Sequence, residues 1–476
     1  MNAPTSIYTR LARVTTRLTA PWPYAGIGFG ALLVWLGGFM SITVITPHQL
    51  SLASIATFGV SAVGLLTLFF VACGGSPQGI ARVLSAPARK RVETAVRVAL
   101  TFMMGGLAVL SFLLIIAALQ YAFEPPGQAY FNDVISFSAA NAHALLAGNN
   151  PYTDDANFIP TLITYPHAPP TPMQGAIFGY GYDYPRQSYV YAIDTAYIRQ
   201  PAAYAAAFDP RTLHSYPALS FLVYVPLFAV GIQNVMWLNL VAYAALLAWM
   251  IALAPRTQRG WVTFTALAAL SVTFNSLLLE TELICLLFLL PAWALRDRKG
   301  WLSALLLGLA CAFKQYCWFF APLFLLDSAL RHGWREAGRR ALITLAAFLA
   351  PNAPFIIASA TAWWQSLWLP LSLAVFPQGM GLVTLALGHV IPSPPKALFT
   401  FLEVAAVGGA LWLYAHYWER LREAAPLLAL LPFFFAFRSP PNYFSIAPWL
   451  ALFAWLWLQR AKAKTDLAAA QPIAKN

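Results

Sequence analysis

The sequence predicts an all-α integral membrane protein, a bundle of about 11–13 transmembrane helices with a large extracytoplasmic first loop. Of the 476 residues, 60% are hydrophobic and only 10% are charged. So few charged residues cannot cover the surface of a soluble domain of this length. In addition, apolar stretches of about 20 residues, the length that crosses the hydrocarbon core, recur along the chain. The chain is therefore expected to lie in a lipid bilayer.

Four apolar stretches are assigned as membrane spans directly from hydropathy: 24–46, 52–73, 98–121 and 397–418. The first is longer than the apolar region of a signal peptide and is expected to be retained. The chain then divides into N-terminal transmembrane helices (1–121), an extracytoplasmic loop (122–215), C-terminal transmembrane helices (216–459) and a basic cytoplasmic tail (460–476).

The charged residues indicate how the chain is oriented. Lys and Arg cluster in short runs within 82–97, 331–340, 420–422 and 460–464, whereas acidic residues dominate 122–215. Basic loops stay on the cytoplasmic side of a membrane. The sequence thus predicts a multi-pass plasma-membrane protein with both termini in the cytoplasm. The same distribution accounts for the net charge of +12 without a nucleic-acid partner.

The topology of residues 216–326 has two interpretations. If every apolar segment crosses the membrane, the basic residues of 296–299 lie outside, against the charge rule. In the alternative, 216–231 does not cross and 301–326 breaks into two short helices at Lys314. Glu280, Glu282 and Lys314 then approach the outer side. The sequence favours this second interpretation, and both interpretations place Trp363, Trp364 and Trp368 in an outer loop.

A short amphipathic helix is expected within the extracytoplasmic loop. Asn132 or Asp133 is a suitable N-terminal cap, and Gly148 is a suitable C-terminal residue. The predicted apolar face consists of Val134, Phe137, Ala140, Ala144 and Leu145, and the polar residues are Ser136, Ser138, Asn141 and His143. Such a helix can rest at the membrane surface and hold Asp133 just outside the bilayer.

Residues 175–198 alternate aromatic residues with small and polar ones. This alternation predicts a β-hairpin packed on the outer face. Its tyrosines suit stacking on sugar rings and also anchoring at the membrane interface, and the sequence leaves both roles open.

Four short motifs are distributed along the chain: Gly148-x-Asn150-Pro151-Tyr152 after the amphipathic helix, Tyr216-Pro217, Lys314-Gln315-Tyr316, and 438–444 (RSPPNYF) before the last helix. With an acidic residue after the first helical unit, they resemble the GT-C class of membrane glycosyltransferases. The closest resemblance is to glycosyltransferase family 87, which includes polyprenol-phosphate-mannose-dependent mannosyltransferases. Two departures are Leu-Glu-Thr-Glu at 279–282, in place of an expected Gly-Gln, and a Tyr- and Pro-rich extension at 165–209.

The resemblance implies a GT-C-type bundle and a specific reaction. A sugar passes from a polyprenyl-phosphate donor to an extracytoplasmic glycan or glycolipid acceptor, with inversion and without a covalent sugar intermediate. The acceptor hydroxyl needs a base as it attacks the anomeric carbon, and the resemblance makes Asp133 that base. The alternative is that Asp133 only caps the helix.

Cationic side chains are expected near the donor phosphate, because negative charge grows on this leaving group as the bond breaks. Lys314 and Arg438 are the candidates. A lysine within an apolar helix is costly and is a functional candidate by default. The alternatives are a buried ion pair of Lys314 with Glu280 or Glu282, and interfacial snorkelling of Arg438.

Weaker candidates for substrate binding are His143, Tyr152, Asp154, Tyr216, Glu280, Glu282, Asn442 and Tyr443. No cofactor is predicted, no His or Cys cluster has zinc-ligand spacing, and the need for a divalent metal stays open. Expected partners are the lipid-linked donor, the acceptor and membrane lipids.

Two other functions compete with sugar transfer. A lipid-linked saccharide transporter or flippase would concentrate its polar residues near the bilayer midplane and show internal repeats. An O-antigen ligase or polymerase would place its chemistry in a later loop rich in Arg and His. The long acidic outer loop favours the transferase, although neither the sugar nor the acceptor can be identified from the residues.

Overall fold

The computed structural model describes residues 20–44, 51–75, 86–153, 161, 163–168, 171–175, 178–200, 214–277 and 280–470. The first helices are α1 (Trp22–Val44), α2 (Ser51–Ala72), α3 (Ala86–Ala122), α4 (Pro126–Ala129), α5 (Asp133–Leu146), α6 (Gln187–Ile198), α7 (Leu219–Leu222), α8 (Val225–Ala229), α9 (Met236–Leu253), α10 (Arg259–Ala268) and α11 (Leu270–Leu277). They are followed by α12 (Glu282–Leu295), α13 (Gly300–Phe313), α14 (Ala321–His332), α15 (Trp334–Ser372), α16 (Val383–Leu387), α17 (Lys396–His416), α18 (Trp418–Leu421), α19 (Ala425–Leu428), α20 (Leu431–Phe435), α21 (Asn442–Ser445) and α22 (Ala447–Ala470). Two-residue strands β1 (Gln378–Gly379) and β2 (Arg438–Ser439) pair in parallel, and 3₁₀ turns cover Arg256–Gln258 and Gln315–Phe319.

Six of these helices are long and apolar enough to cross a membrane: α1, α2, α3, α9, α15 and α17. They confirm the all-α membrane fold and include the four spans assigned from hydropathy. Shorter apolar helices occupy 219–229, α12, α13 and 425–435. At 1.5 Å per residue, a 14-residue helix such as α12 or α13 extends about 21 Å, less than the roughly 30 Å of hydrocarbon. Part of the predicted bundle is therefore built from short helices.

The hydrophobic core runs the length of the bundle and includes the last helix. Helices α1 and α2 form a hairpin in which small residues permit close backbone approach, since a Cβ on Gly64 would lie 2.9 Å from the Val34 nitrogen. In α22, Trp449 and its neighbours through Ala454 are buried on every side. An apolar helix of this kind belongs at the centre of a bundle. The segment that leads into it, 436–446, is thereby held firmly.

The structure breaks the apolar stretch 301–326 at Lys314, as the second topology interpretation predicted. Helix α13 ends at Phe313, and Lys314 has an extended backbone (φ −152°, ψ 136°). A 3₁₀ turn follows before α14 begins. Helices α7 and α8 span only 219–229, which is too short to cross the bilayer.

Helix α5 has the predicted bounds but a different buried face. Asn132 is its N-cap and Gly148, with φ +87°, follows its end. Burial does not follow the predicted division into apolar and polar residues, because Ser136, Ser138 and Asn141 are buried. Small hydroxyl residues pack closely and satisfy their own oxygens: Ser138 Oγ donates to the Val134 carbonyl at 2.7 Å.

The predicted β-hairpin at 175–198 was also wrong. Only an isolated bridge joins Gly175 to Gly179, and Gln187–Ile198 forms helix α6. Val190 and Asp194, one helical turn apart, are buried. The four-residue spacing of the buried side chains is typical of a helix. The alternation of aromatic and small residues was therefore a misleading signal for the secondary structure of this segment.

The three tryptophans predicted for an outer loop lie instead on α15. This helix is divided at Ser359, whose backbone is extended (φ −161°, ψ 92°), downstream of prolines 351 and 354. Trp363 is buried, and its indole nitrogen donates to Asn352 Oδ1 at 2.9 Å. The tryptophan-rich segment is thus helical and does not form a loop.

Candidate functional site

A single cavity of about 560 Å³ brings together most of the residues selected from the sequence. Those that line it are Asp133, Tyr216, Glu280, Lys314, Arg438, Asn442 and Tyr443. They come from the start of α5, the loop before α7, the loop before α12, the break at Lys314 and the segment before α22. The C-terminal end of α15 and the first turns of α17 complete its walls.

Asp133 presents one free carboxylate oxygen to this cavity. Its Oδ2 accepts two hydrogen bonds of 2.7 Å from Thr171, one from the backbone N–H and one from the hydroxyl. Oδ1 has no partner among the described residues. Asn132 caps the helix by accepting from the Val134 N–H, so Asp133 is not the cap. Thr171 thus orients the carboxylate through Oδ2, and Oδ1 remains available to accept a hydrogen bond or a proton from a ligand.

Glu280 differs from Asp133 because both of its carboxylate oxygens accept hydrogen bonds from side-chain amides. Asn132 Nδ2 donates to Oε1 at 2.7 Å, and Asn442 Nδ2 donates to Oε2 at 3.0 Å. The same Asn442 nitrogen lies 3.1 Å from Glu282 Oε1. The sequence did not predict that Asn442 would join the two glutamates. The link is possible because Glu280 lies before the start of α12 and is not bound by helical spacing relative to Glu282. These polar groups connect the start of α5 to the start of α12.

Lys314 forms the buried ion pair that the sequence offered as one alternative. Its Nζ lies 2.6 Å from Glu282 Oε1, and both side chains are almost fully buried. It also donates to Thr281 Oγ1 at 3.0 Å and lies 5.7 Å from the centre of the Tyr216 ring. Glu282 Oε2 has no hydrogen-bond partner in the described structure. The positive charge of Lys314 is therefore largely engaged by Glu282.

Arg438 is held at the cavity wall by the two-stranded sheet. In the parallel register Gln378 pairs with Arg438, and Arg438 Nη2 donates to Gln378 Oε1 at 2.9 Å. The sheet requires a glycine beside Ser439, because Gly379 has φ +136° and a Cβ there would overlap the Ser439 carbonyl. No carboxylate of the described residues lies within 4.0 Å of Arg438.

Thr171, Lys396 and Glu403 are among the lining residues that the sequence analysis missed. Nothing local identifies Thr171, since it contacts Asp133 across 38 residues. Lys396 could have been identified from the sequence, because a cation in the first turn of a helix is unfavourable beside the helix dipole. Glu403 could also have been identified, because it is a carboxylate within an apolar helix.

Four weaker candidates are not among the residues that line the cavity: Glu282, which lies behind Lys314, and His143, Tyr152 and Asp154. His143 stacks on Phe228 with centroids 4.1 Å apart, and the hydroxyl of Tyr152 donates to the Tyr216 carbonyl at 2.9 Å. Asp154 lies outside the described residues. Burial lowers the pKa of His143 and lowers that of buried His214 to about 3. Neither imidazole therefore supplies a cation near neutral pH.

The remaining lining residues are mainly apolar and partly open to the outside of the bundle. Trp368 and Leu371 of α15 contribute to the wall and remain 40% and 53% exposed. On the facing helix, Thr400 is both exposed and part of the cavity lining. Within the described part of the chain, no group of His, Cys, Asp and Glu could hold a metal ion. The site thus combines fixed charges with an apolar side opening.

Comparison with known proteins gives one match. Residues 214–440 match the family model of Glycosyltransferase family 87, and this match indicates a glycosyltransferase. It supports the resemblance seen in the motifs and covers Lys314, Arg438 and the segment between them. No curated protein and no solved structure matches the chain. A sugar donor, an acceptor and membrane lipids follow as general partners of such an enzyme.

Proposed function

We propose that this protein, which carries a glycosyltransferase family 87 match at residues 214–440, transfers a sugar from a polyprenyl-phosphate donor to a glycan or glycolipid on the extracytoplasmic side of the plasma membrane. The observation that supports it best is the free Oδ1 of Asp133, which shares one cavity with three cationic side chains. A base and an anion-binding group are the two elements that this reaction needs.

Asp133 is proposed as the general base. Its Oδ1 would accept the proton of the acceptor hydroxyl as that oxygen attacks the anomeric carbon, and the sugar–phosphate bond would break on the opposite side. Both oxygens of Glu280 already accept hydrogen bonds from amide groups. These bonds make Glu280 a poorer nucleophile for forming a covalent bond to the sugar. A single displacement with inversion therefore fits this site better than a covalent intermediate.

Cationic side chains at the cavity wall would stabilise the departing phosphate. Its polyprenyl chain could remain in the bilayer, because Trp368 and Leu371 leave an apolar opening beside the cavity. A soluble nucleotide sugar would not need such an opening.

The direct test is to incubate the purified protein with a panel of polyprenyl-phosphate sugars and measure which one is consumed. Release of polyprenyl phosphate from one donor, with an inverted anomeric configuration in the product, is expected. Consumption of nucleotide sugars alone, or a product with retained configuration, would contradict the proposal. The panel would also identify the sugar, for which mannose is only a family-level hypothesis.

Thr171 is expected to act as a positioning residue for Asp133. Replacing Thr171 with Val removes the hydroxyl donor to Oδ2 but keeps the backbone one. We expect kcat to fall about 10-fold, the equivalent of about one lost hydrogen bond to a charged group, with KM little changed. Thr171→Ser should restore activity. Equal activity of the Val and Ser variants would show that the hydroxyl does not orient the base.

A further inference from the structure

We propose that Lys396 and Arg438 together bind the phosphate of the lipid donor, and that Lys314 serves instead to neutralise Glu282. This inference rests on the proposed function and refines it. It assigns the anion-binding role to a lysine that the sequence analysis did not select, and it removes Lys314 from that role.

Lys396 is a cation without an acidic partner at the cavity wall. It is the first residue of α17, and its Nζ donates to the carbonyls of Leu371 and Leu373 at 2.8 and 2.9 Å. Among the described residues, no carboxylate lies within 4.0 Å of it. An ammonium group has three donors, so one remains for a ligand. Its charge at a helix N-terminus is also opposed by the helix dipole.

Arg438 is similarly available. One guanidinium nitrogen donates to Gln378, and the other donors have no partner in the described structure. A guanidinium carries five N–H donors in a fixed plane and binds phosphate oxygens in pairs. Gln378 and the sheet fix the direction in which the remaining donors point.

The packing of aromatic residues brings the two cations together. Phe399, one turn after Lys396, meets Phe437, the neighbour of Arg438, edge to face with centroids 5.5 Å apart. Both cationic side chains line the same cavity. Two like charges that lack a direct ion-pair partner are unfavourable beside each other, and an anion bound between them would relieve this. A phosphate group has the charge and the acceptor oxygens for this position.

Lys314 differs from both residues because its partner is already present. The 2.6 Å pair with Glu282 and the bond to Thr281 leave its ammonium with little capacity for a second anion. A phosphate placed there would also meet the charge of Glu282.

The position of Lys396 also suits a ligand that is tethered in lipid. Leu371, whose carbonyl accepts from Lys396, is half-exposed at the side opening. Thr400, one turn further along α17, is exposed on the facing side. A phosphate at Lys396 would thus leave its polyprenyl chain between α15 and α17, in contact with the bilayer.

The test measures binding of polyprenyl phosphate, without a sugar, to the full-length protein in detergent. Lys396→Gln removes the charge but keeps an amide donor for the two carbonyls, so the structural role is preserved. We expect about 10- to 100-fold weaker binding for Lys396→Gln and for Arg438→Gln, and near wild-type binding for Lys396→Arg. Lys299→Gln is the matched control, since Lys299 is an exposed lysine that caps α13.

The outcomes separate this inference from the proposed function. Wild-type affinity of Lys396→Gln, or equal losses for Lys396→Gln and Lys396→Arg, would overturn the assignment of Lys396. Equal binding of polyprenyl phosphate and uncharged polyprenol by the wild-type protein would instead contradict the proposed lipid-phosphate donor. Weak binding of the phosphate lipid by Lys396→Gln, with folding intact, supports the subsite.

Discussion

Replacing Asp133 with Asn is expected to lower the rate of sugar transfer by about 10²- to 10⁴-fold, the usual contribution of a general base. The substitution keeps the size of the side chain, and an amide oxygen can still accept the two bonds from Thr171. It removes only the basic oxygen that is free in the cavity. Binding of the lipid donor should therefore stay close to that of the wild type.

The control for this experiment is Asp183→Asn, which changes an exposed acid on the same predicted outer loop. Its activity should equal that of the wild type. Unchanged transfer by Asp133→Asn would rule out Asp133 as the base. Lost lipid translocation in the variant, in a protein that transfers no sugar, would favour the flippase instead.

Replacing Lys314 with Met is expected to destabilise the folded protein by about 3–5 kcal/mol, because Glu282 would keep a buried charge without its partner. Both members of this pair are almost inaccessible to solvent. The measurement is the thermal unfolding midpoint in one fixed detergent. The fraction that remains folded should bind polyprenyl phosphate with near wild-type affinity.

The double variant Lys314→Met and Glu282→Leu tests the reason for this loss. Removing both charges from a buried pair is often nearly neutral, so most of the lost stability should return. Asn442 would keep its bond to Glu280. Normal stability of the single variant, combined with lost lipid binding, would show that Lys314 binds the phosphate after all.

Local patterns were sufficient for the helical fold and for part of the site. The helix bounds near 132–148 follow from a cap and a glycine, and the break at Lys314 follows from placing the basic loops on one side. The helix bounds depend on residues close in sequence, and the break depends on the order of the basic loops along the chain. The predicted faces of α5 did not match its burial, because small polar residues can be buried when they satisfy their own hydrogen bonds. The β-hairpin predicted at 175–198 was wrong, because the buried residues Val190 and Asp194 follow helical spacing.

The sequence by itself determined that this chain crosses a membrane as helices, that its acidic loop carries Asp133, and that a lysine interrupts an apolar stretch where lipid makes it costly. Only the tertiary structure decided the partner of each charge. Glu282 takes Lys314, Thr171 orients Asp133, and Asn442 reaches Glu280 across 162 residues. Hydropathy and capping act over a few residues, whereas pairing of buried charges depends on which helices pack together.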